Sequence, residues 1–345
     1  MNSGFQVKLT ADFQDNGKLV YQDIGLDLLD GSDGIAYAFL DRHQPEVESD
    51  QLHDTDAVIV LSPRITKASL EDLDRLTMIS RFGVGYDSVD VDACTEADVV
   101  LTITAGGVDY SVAEAVITMM LAISHNLVIK DRITREGRWD ERSGHMGSEL
   151  RDRTLGIIGL GGIGGTLANM IGGFRMAKPI AYDPHIPAER AKQLGVTLVD
   201  RDDLLRASDF VSVNCPLNDD TRDLIGDREL SLMKPTAYLI NTARGGIVNE
   251  TALIDALREK RIAGAALDCH ENEPMPPGHP ISLLENVILA PHAIAWTNEL
   301  FRDLGRKACS QVIDLSTGQI PDGVVNRAVL DRPGFKAKLA RYGTT

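Results

Sequence analysis

Residues 155–183 read LGIIGLGGIGGTLANMIGGFRMAKPIAYD, and this stretch decides the fold. Leu155–Ile158 is a short strand-like run that passes into Gly159-Leu160-Gly161-Gly162-Ile163-Gly164, a G-x-G-x-x-G, and then into a helical run, Ile163–Ile171. In a chain with 31 glycines the motif alone says little; a strand before it and a helix after it give it meaning. The first glycine makes the tight turn, the second lets backbone approach a pyrophosphate, and the third lets helix and strand pack closely. The helix start then offers N–H groups and the positive end of its dipole to phosphate. The next strand, Ile180–Tyr182, ends at Asp183, 19 residues after Gly164. A carboxylate there accepts hydrogen bonds from both ribose hydroxyls and repels a 2′-phosphate. No arginine stands beside it (Arg190 is the nearest downstream), so the pattern points to NAD. The plainer alternative is a glycine-rich turn with a helix-capping aspartate.

Outward from this unit the rhythm continues. Strands are expected at Phe210–Val213, Tyr238–Asn241, Ala263–Leu267 and Val287–Leu289, with helical stretches between them. Six strands alternating with helices predict an α/β, doubly wound parallel sheet. Upstream, Ser111–Val128 reads as a helix with Ser111 as N-cap and Glu114 completing a capping box. Its apolar residues surround most of the helix, which predicts burial between domains or subunits. Shorter strands are expected at Phe5–Leu9, Ile35–Leu40, Ala57–Leu61 and Thr77–Phe82, a helix at Ser69–Leu76, and a long connection from Gly137 to Ser148. A last helix, Asn298–Leu315, should be followed by a loose tail.

A length of 345 residues predicts two domains. The net charge of −16 repels phosphate backbones and anionic lipid, which argues against nucleic-acid and membrane partners. No run of 18 apolar residues is present, and the first eight residues carry no secretory pattern. Cys94, Cys215, Cys269 and Cys309 include no C-x-x-C, so a reducing cytoplasm is expected. His270, Glu273, His279 and His292 cluster in sequence without the H-E-x-x-H spacing, so no metal is expected.

Three further strand ends carry chemistry. Arg244 follows Tyr238–Asn241 and precedes two glycines, placing a planar guanidinium fork at the sheet edge where such folds bind ligands. The strand Ala263–Leu267 runs into Asp268 and the acidic loop to Pro274, and Val287–Leu289 leads to Pro291-His292. Each has a bland alternative: a structural salt bridge, a solvated acidic surface, a structural histidine. Taken together they make a hydride-transfer site. Reducing a ketone requires a proton at its oxygen, for which histidine is suited. A neighbouring Glu273 carboxylate orients the ring and stabilises the imidazolium, and Arg244 holds a substrate carboxylate and polarises the carbonyl.

These motifs closely resemble the D-isomer-specific 2-hydroxyacid dehydrogenase family over about residues 80–295. They include Arg81-Phe82-Gly83-Val84-Gly85-Tyr86-Asp87, Ser111–Glu114, the glycine motif with Asp183, Asn241–Val248, Leu267–Pro274 and Pro291-His292. The resemblance implies two Rossmann-like doubly wound domains, the cofactor domain (106–295) inserted in a flavodoxin-like substrate domain (1–105 and 296–345). It implies an NAD-dependent oxidoreductase acting on a small 2-keto or 2-hydroxy acid, commonly a homodimer. It places the catalytic trio on Arg244, Glu273 and His292, and substrate contacts on Val84, Gly85, Arg244 and Trp296. Cofactor contacts fall on Gly159, Gly161, Gly162, Ile163, Gly164, Asp183, Cys215, Pro216, Thr221, Thr242, Ala243 and Asp268. Leu267–Pro274, Gly318–Asp322 and Trp296 further resemble the C-terminal-binding-protein branch, whose eukaryotic members are NAD-sensing corepressors; a partner-binding NAD(H) sensor is therefore the alternative function. This chain has one extra residue between His292 and Trp296. It also has Gly162 where the family often has arginine, a change expected to weaken cofactor binding by about 1.5–3 kcal/mol. The length leaves no expected room for the regulatory domain of some phosphoglycerate dehydrogenases.

Overall fold

The computed structural model describes residues 4–342; the first three residues of the N-terminal reading and the last three of the expected tail lie outside the described residues. The chain divides into two units, Met1–Val108 with Trp296–Thr345, and Asp109–Ala295.

In the first unit, β1 (Phe5–Leu9), β2 (Ile35–Phe39), β3 (Ala57–Val60), β4 (Met78–Arg81) and β5 (Val100–Ile103) form a sheet in the order β2-β1-β3-β4-β5. Every neighbouring pair is parallel. This is the flavodoxin-like order. All four residues of β3 are buried, as expected of a strand covered on both faces. The helix expected at Ser69–Leu76 does not form. Only a 3₁₀ turn, Ala68–Leu70, is present; Glu71 is extended and Asp72 is left-handed at φ +58°. Leu70, Leu73 and Leu76 have helical spacing, yet they reach the core from irregular backbone. Ser69 and Asp72 are residues whose side chains compete with helical hydrogen bonds, and the Ser69 hydroxyl accepts from the Thr66 amide.

In the second unit, β6 (Leu155–Ile158), β7 (Ile180–Tyr182), β8 (Thr197–Leu198), β9 (Phe210–Val213), β10 (Tyr238–Asn241), β11 (Gly264–Leu267) and β12 (Val287–Leu289) form a parallel sheet. Its order is β8-β7-β6-β9-β10-β11-β12, the Rossmann order extended by one strand. The order reverses at β6, so the ends of β6 and β9 flank the crevice where doubly wound sheets bind ligands. Successive residues face opposite layers. Val211, Leu239 and Ala265 enter one core with Leu253 and Leu257, while Phe210, Ile240 and Ala266 enter the other with Met120 and Leu167.

The long helix differs from its expected form. It starts two residues early as α1 (Asp109–Ser124), which puts Ser111 inside the helix and removes its capping box. It stops at Ser124, where Asn126 takes the left-handed conformation that asparagine tolerates. The chain resumes as α2 (Leu127–Arg135), bent by 57° from α1. Much of the apolar surface of α1 is covered within its own unit: it packs along α3 (Gly162–Met170) and over β10, β11 and β12.

Back in the first unit, Thr297 caps α4 (Asn298–Ser316) by accepting from the Leu300 amide at 3.0 Å. The expected loose tail is ordered over its described part. Val324 bridges Thr102 antiparallel to β5. The Asn326 side chain accepts from the Leu101 amide at 2.8 Å and donates to the Val99 carbonyl at 2.9 Å, pairing with β5 as a strand would. Val329 is fully buried, as is Phe335 of α5 (Pro333–Leu339). No single helix among the described residues is long and apolar enough to cross a membrane.

Candidate active site

The three glycines of the motif do three different jobs. Gly159 is left-handed at φ +89°, and a side chain there would meet the Cys215 amide at 2.8 Å. A side chain on Gly164 would overlap the Gly159 carbonyl, whereas one on Gly161 would meet nothing within 4 Å. The middle glycine thus leaves open the approach a pyrophosphate needs. Gly161 is also the N-cap of α3 and supplies no side-chain hydrogen bond to its first-turn amides, among them those of Ile163 and Gly164. Asp183 Oδ2 accepts from the Leu160 amide at 2.8 Å, and Oδ1 from those of His185 and Ile186 at 2.9 and 3.2 Å. The carboxylate therefore braces the glycine turn, and a carboxylate has lone pairs enough for ribose hydroxyls as well.

Across the switch point, the loop after β9 carries Cys215, Pro216 and Thr221. The Thr221 hydroxyl donates to the Pro216 carbonyl at 2.6 Å and accepts from the Asn218 amide at 2.8 Å, which closes the loop. Burial pushes the Cys215 thiol up to about 11, so it is neutral. The Asn214 Oδ1 atom beside it is buried without a hydrogen-bond partner. An open glycine, an uncapped helix start and an orphaned acceptor at one strand crevice fit a dinucleotide. Gly162 is explained by a residue that the motif does not include: a side chain there would lie 2.6 Å from Asp109 Cγ. The first residue of α1 occupies the space that arginine would need, and burial pushes the Asp109 carboxyl up.

Arg244, Asp268 and His292 follow three neighbouring parallel strands, β10, β11 and β12, in register Asn241–Leu267–Leu289. The Asn241 side chain shapes the first loop: Oδ1 accepts from the Ala243 amide at 3.1 Å and Nδ2 donates to the Arg244 carbonyl at 2.9 Å. Thr242 and Ala243 lie in this loop, and Arg244 Nη1 donates to the Ala243 carbonyl at 2.7 Å. Asp268 is 4% exposed and accepts from the amides of Ala293 and Ile294 at 2.9 and 3.1 Å. Burial pushes its carboxyl up, against those two amides and His292.

This grip holds His292 in the left-handed region at φ +56°, a conformation histidine adopts uncommonly. His292 Nδ1 lies 2.7 Å from Glu273 Oε2, and Glu273 Oε1 accepts from the His270 amide at 2.9 Å. Burial pushes the Glu273 carboxyl up, but the His292 and His270 hydrogen bonds outweigh it and hold the carboxyl below 4.5. The carboxylate is therefore charged at neutral pH, and the pair is lost only as pH falls through that lowered carboxyl value. A carboxylate at Nδ1 fixes the ring so that Nε2 is the nitrogen left for chemistry. His270 Nε2 bonds the Ala290 carbonyl at 3.0 Å, tying the acidic loop to the end of β12. His279 is engaged elsewhere, 3.2 Å from Glu250.

Val84, Gly85 and Trp296 belong to the other unit. Val84 and Gly85 lie in the loop after β4, behind Gly83, whose amide donates to Thr104 Oγ1 at 2.9 Å. Trp296 is 53% exposed and meets Tyr21 and Phe301 edge-on. The positioning roles of Asn241, Asp268 and His270 are not legible in the motifs, although each stands at or just after a strand end.

The model of the D-isomer specific 2-hydroxyacid dehydrogenase NAD binding domain matches residues 117–293. A glyoxylate reductase of Aeropyrum pernix is 38% identical over 307 residues, covering 86% of this chain and 91% of its own. The chain belongs to the D-isomer specific 2-hydroxyacid dehydrogenases. This 2-hydroxyacid dehydrogenase is thus an NAD-dependent oxidoreductase of small 2-hydroxy and 2-keto acids. It is 37% identical over 282 residues to a D-3-phosphoglycerate dehydrogenase of Archaeoglobus fulgidus, but spans about half of that relative, 53% of its length. Among solved structures, a glyoxylate reductase of Paecilomyes thermophila superposes with a TM-score of 0.79 at 27% identity, over 94% of this dehydrogenase and 99% of that chain.

Proposed function

We propose that this dehydrogenase reduces small unphosphorylated 2-keto acids to D-2-hydroxy acids, with His292 as the proton donor. The observation that carries the reading is the 2.7 Å contact between His292 Nδ1 and Glu273, whose other oxygen is held by the His270 amide. The bound nicotinamide supplies hydride to the keto carbon. His292 Nε2 gives its proton to the oxygen, and Glu273 offsets the ring's charge until that transfer. Arg244 takes the substrate carboxylate, and its charge polarises the carbonyl. NAD rather than NADP follows from Asp183 at the end of β7.

The choice of an unphosphorylated acid is supported by Arg81, whose Nη1 donates to the Val60 and Phe82 carbonyls. Glyoxylate and hydroxypyruvate are the first substrates to try, and several relatives are named glyoxylate reductase. A homodimer in a reducing cytoplasm completes the reading: Leu127, Val128, Trp139 and Met146 offer an exposed apolar surface to a second copy, and Cys94, Cys269 and Cys309 are buried thiols.

The test is a panel of 2-keto acids with NADH and with NADPH, followed at about 340 nm, for wild type and His292→Ala. The expected result is turnover with NADH that His292→Ala lowers by at least about 100-fold, the scale of a lost general acid, with NADH binding unchanged. Equal turnover in the variant would remove His292 from this role.

A further inference from the structure

We propose that Cys269, Glu273 and His292 form a site for a thiophilic divalent cation, zinc above all, whose binding stops hydride-transfer chemistry. The Cys269 Sγ, a Glu273 carboxylate oxygen and a His292 ring nitrogen all lie within 4.8 Å of one another. Around one tetrahedral zinc, such donors stand about 3.3–3.8 Å apart. The His292–Glu273 contact of 2.7 Å must open by about half an ångström, and a pair near the 4.8 Å limit must close by about an ångström, both within the reach of side-chain rotation. Thiolate, imidazole and carboxylate are the three ligand types zinc uses, and three protein ligands leave its fourth position to water.

The backbone spacing is set by the sheet. Cys269 and Glu273 follow β11 and His292 follows β12, strands hydrogen-bonded to one another. Cys269 forms the floor of the site at 3% exposed, and the ion reaches it past Glu273 and His292, which solvent touches. The Cys269 thiol donates to the Ala243 carbonyl at 3.4 Å. On binding, the S–H bond breaks, its proton passes to buffer and a sulfur–zinc bond forms; no group changes oxidation state. The proposed reaction gives Cys269 no role.

Binding removes the acid–base cycle by either nitrogen. An ion on Nε2 takes the lone pair that carries the proton. An ion on Nδ1 replaces the Glu273 contact that fixes the ring. The inhibitory half of the proposal thus rests on His292 as proton donor, whereas the binding half does not.

The experiment titrates zinc chloride into the full chain by calorimetry, with and without NADH, and measures initial rates against zinc and magnesium, with a chelator added back. Cys269→Ser keeps the volume and a donor to the Ala243 carbonyl, and Cys269→Ala serves as a second variant. Wild type should bind one zinc per chain and lose turnover, reversibly, where equal magnesium does nothing. Both variants should turn over like wild type without zinc. Their zinc affinity and inhibition should weaken by at least about 10-fold, the loss seen even for groups outside a ligand set. Absence of a one-to-one zinc site, or variants inhibited as strongly as wild type, would overturn the site. Cys269-dependent binding that leaves turnover intact would overturn the inhibition alone; together with an active His292→Ala, it would fault the reading of His292 and leave the site standing.

Discussion

Asp109 stands where a side chain on residue 162 would go, at the start of α3. A carboxylate there suits the helix dipole while no anion is bound. A pyrophosphate at the same helix start meets it as a like charge. Across water at about 4 Å such a repulsion is about 1 kcal/mol, or about five-fold in affinity. Asp109→Asn should therefore bind NAD about five-fold more tightly at neutral pH, with a slightly lower melting temperature. Burial places the Asp109 carboxyl above 3.8, which gives the effect a pH dependence. Below that raised value the group is neutral and the repulsion is gone; as pH rises through it, charge appears and affinity falls. Wild-type affinity should thus improve as pH is lowered from neutral toward 4, while that of Asp109→Asn changes less. Calorimetric titration of NAD at several pH values checks both, and parallel curves for the two proteins would contradict the reading.

At the level of elements, the second unit is nearly transparent to sequence reading because its central strands are buried on both faces. Phe210–Val213 and Tyr238–Asn241 read as uninterrupted β-forming runs and form just there. The two-residue strand Thr197–Leu198 carries too short a pattern to signal itself, and Val100–Ile103 is a short apolar run that periodicity alone does not separate from a buried helix. The placement of Arg244, Glu273 and His292 after neighbouring strands was legible from their motifs, since strand-end residues recur at one sheet edge. Asp109 was not, because a contact between helix starts leaves no local pattern. Gln311 is a second case of this kind. It is a polar residue on the buried face of α4, and its Nε2 donates to the Ile103 carbonyl at 2.9 Å while its Oε1 accepts from Ser80 and Thr102 at 3.2 and 3.1 Å. One side chain thus ties α4 to β4 and β5. Gln311→Leu keeps the volume but strands these buried groups, at about 1–3 kcal/mol apiece. A loss of about 3 kcal/mol in urea unfolding is expected; a loss under about 0.5 kcal/mol would mean that the groups find other partners.

For the whole molecule, the decisive quantity is the −16 charge, which a second copy must overcome. Two such chains repel at long range, so association must come from apolar contact. The cofactor unit offers it around the start of α2. Leu127 and Val128 open α2, and Met146 is drawn beside them by the Asn126 side chain, which donates to its carbonyl at 3.0 Å. Trp139 begins the 3₁₀ segment packed on α2. Trp139 is 57% exposed and Met146 80%, and large apolar side chains left together on a surface mark an interaction site. Salt separates the two contributions: it screens the repulsion, with a Debye length near 10 Å at about 0.1 M, and leaves apolar contact in place. Light scattering after size exclusion should therefore give twice the chain mass, with dissociation on dilution easier at low salt than at high. Trp139→Glu with Met146→Glu should yield a folded monomer at every salt concentration, since two buried carboxylates per chain would add desolvation to the repulsion. A wild-type chain that stays monomeric at high salt and high concentration would assign this surface to some other partner.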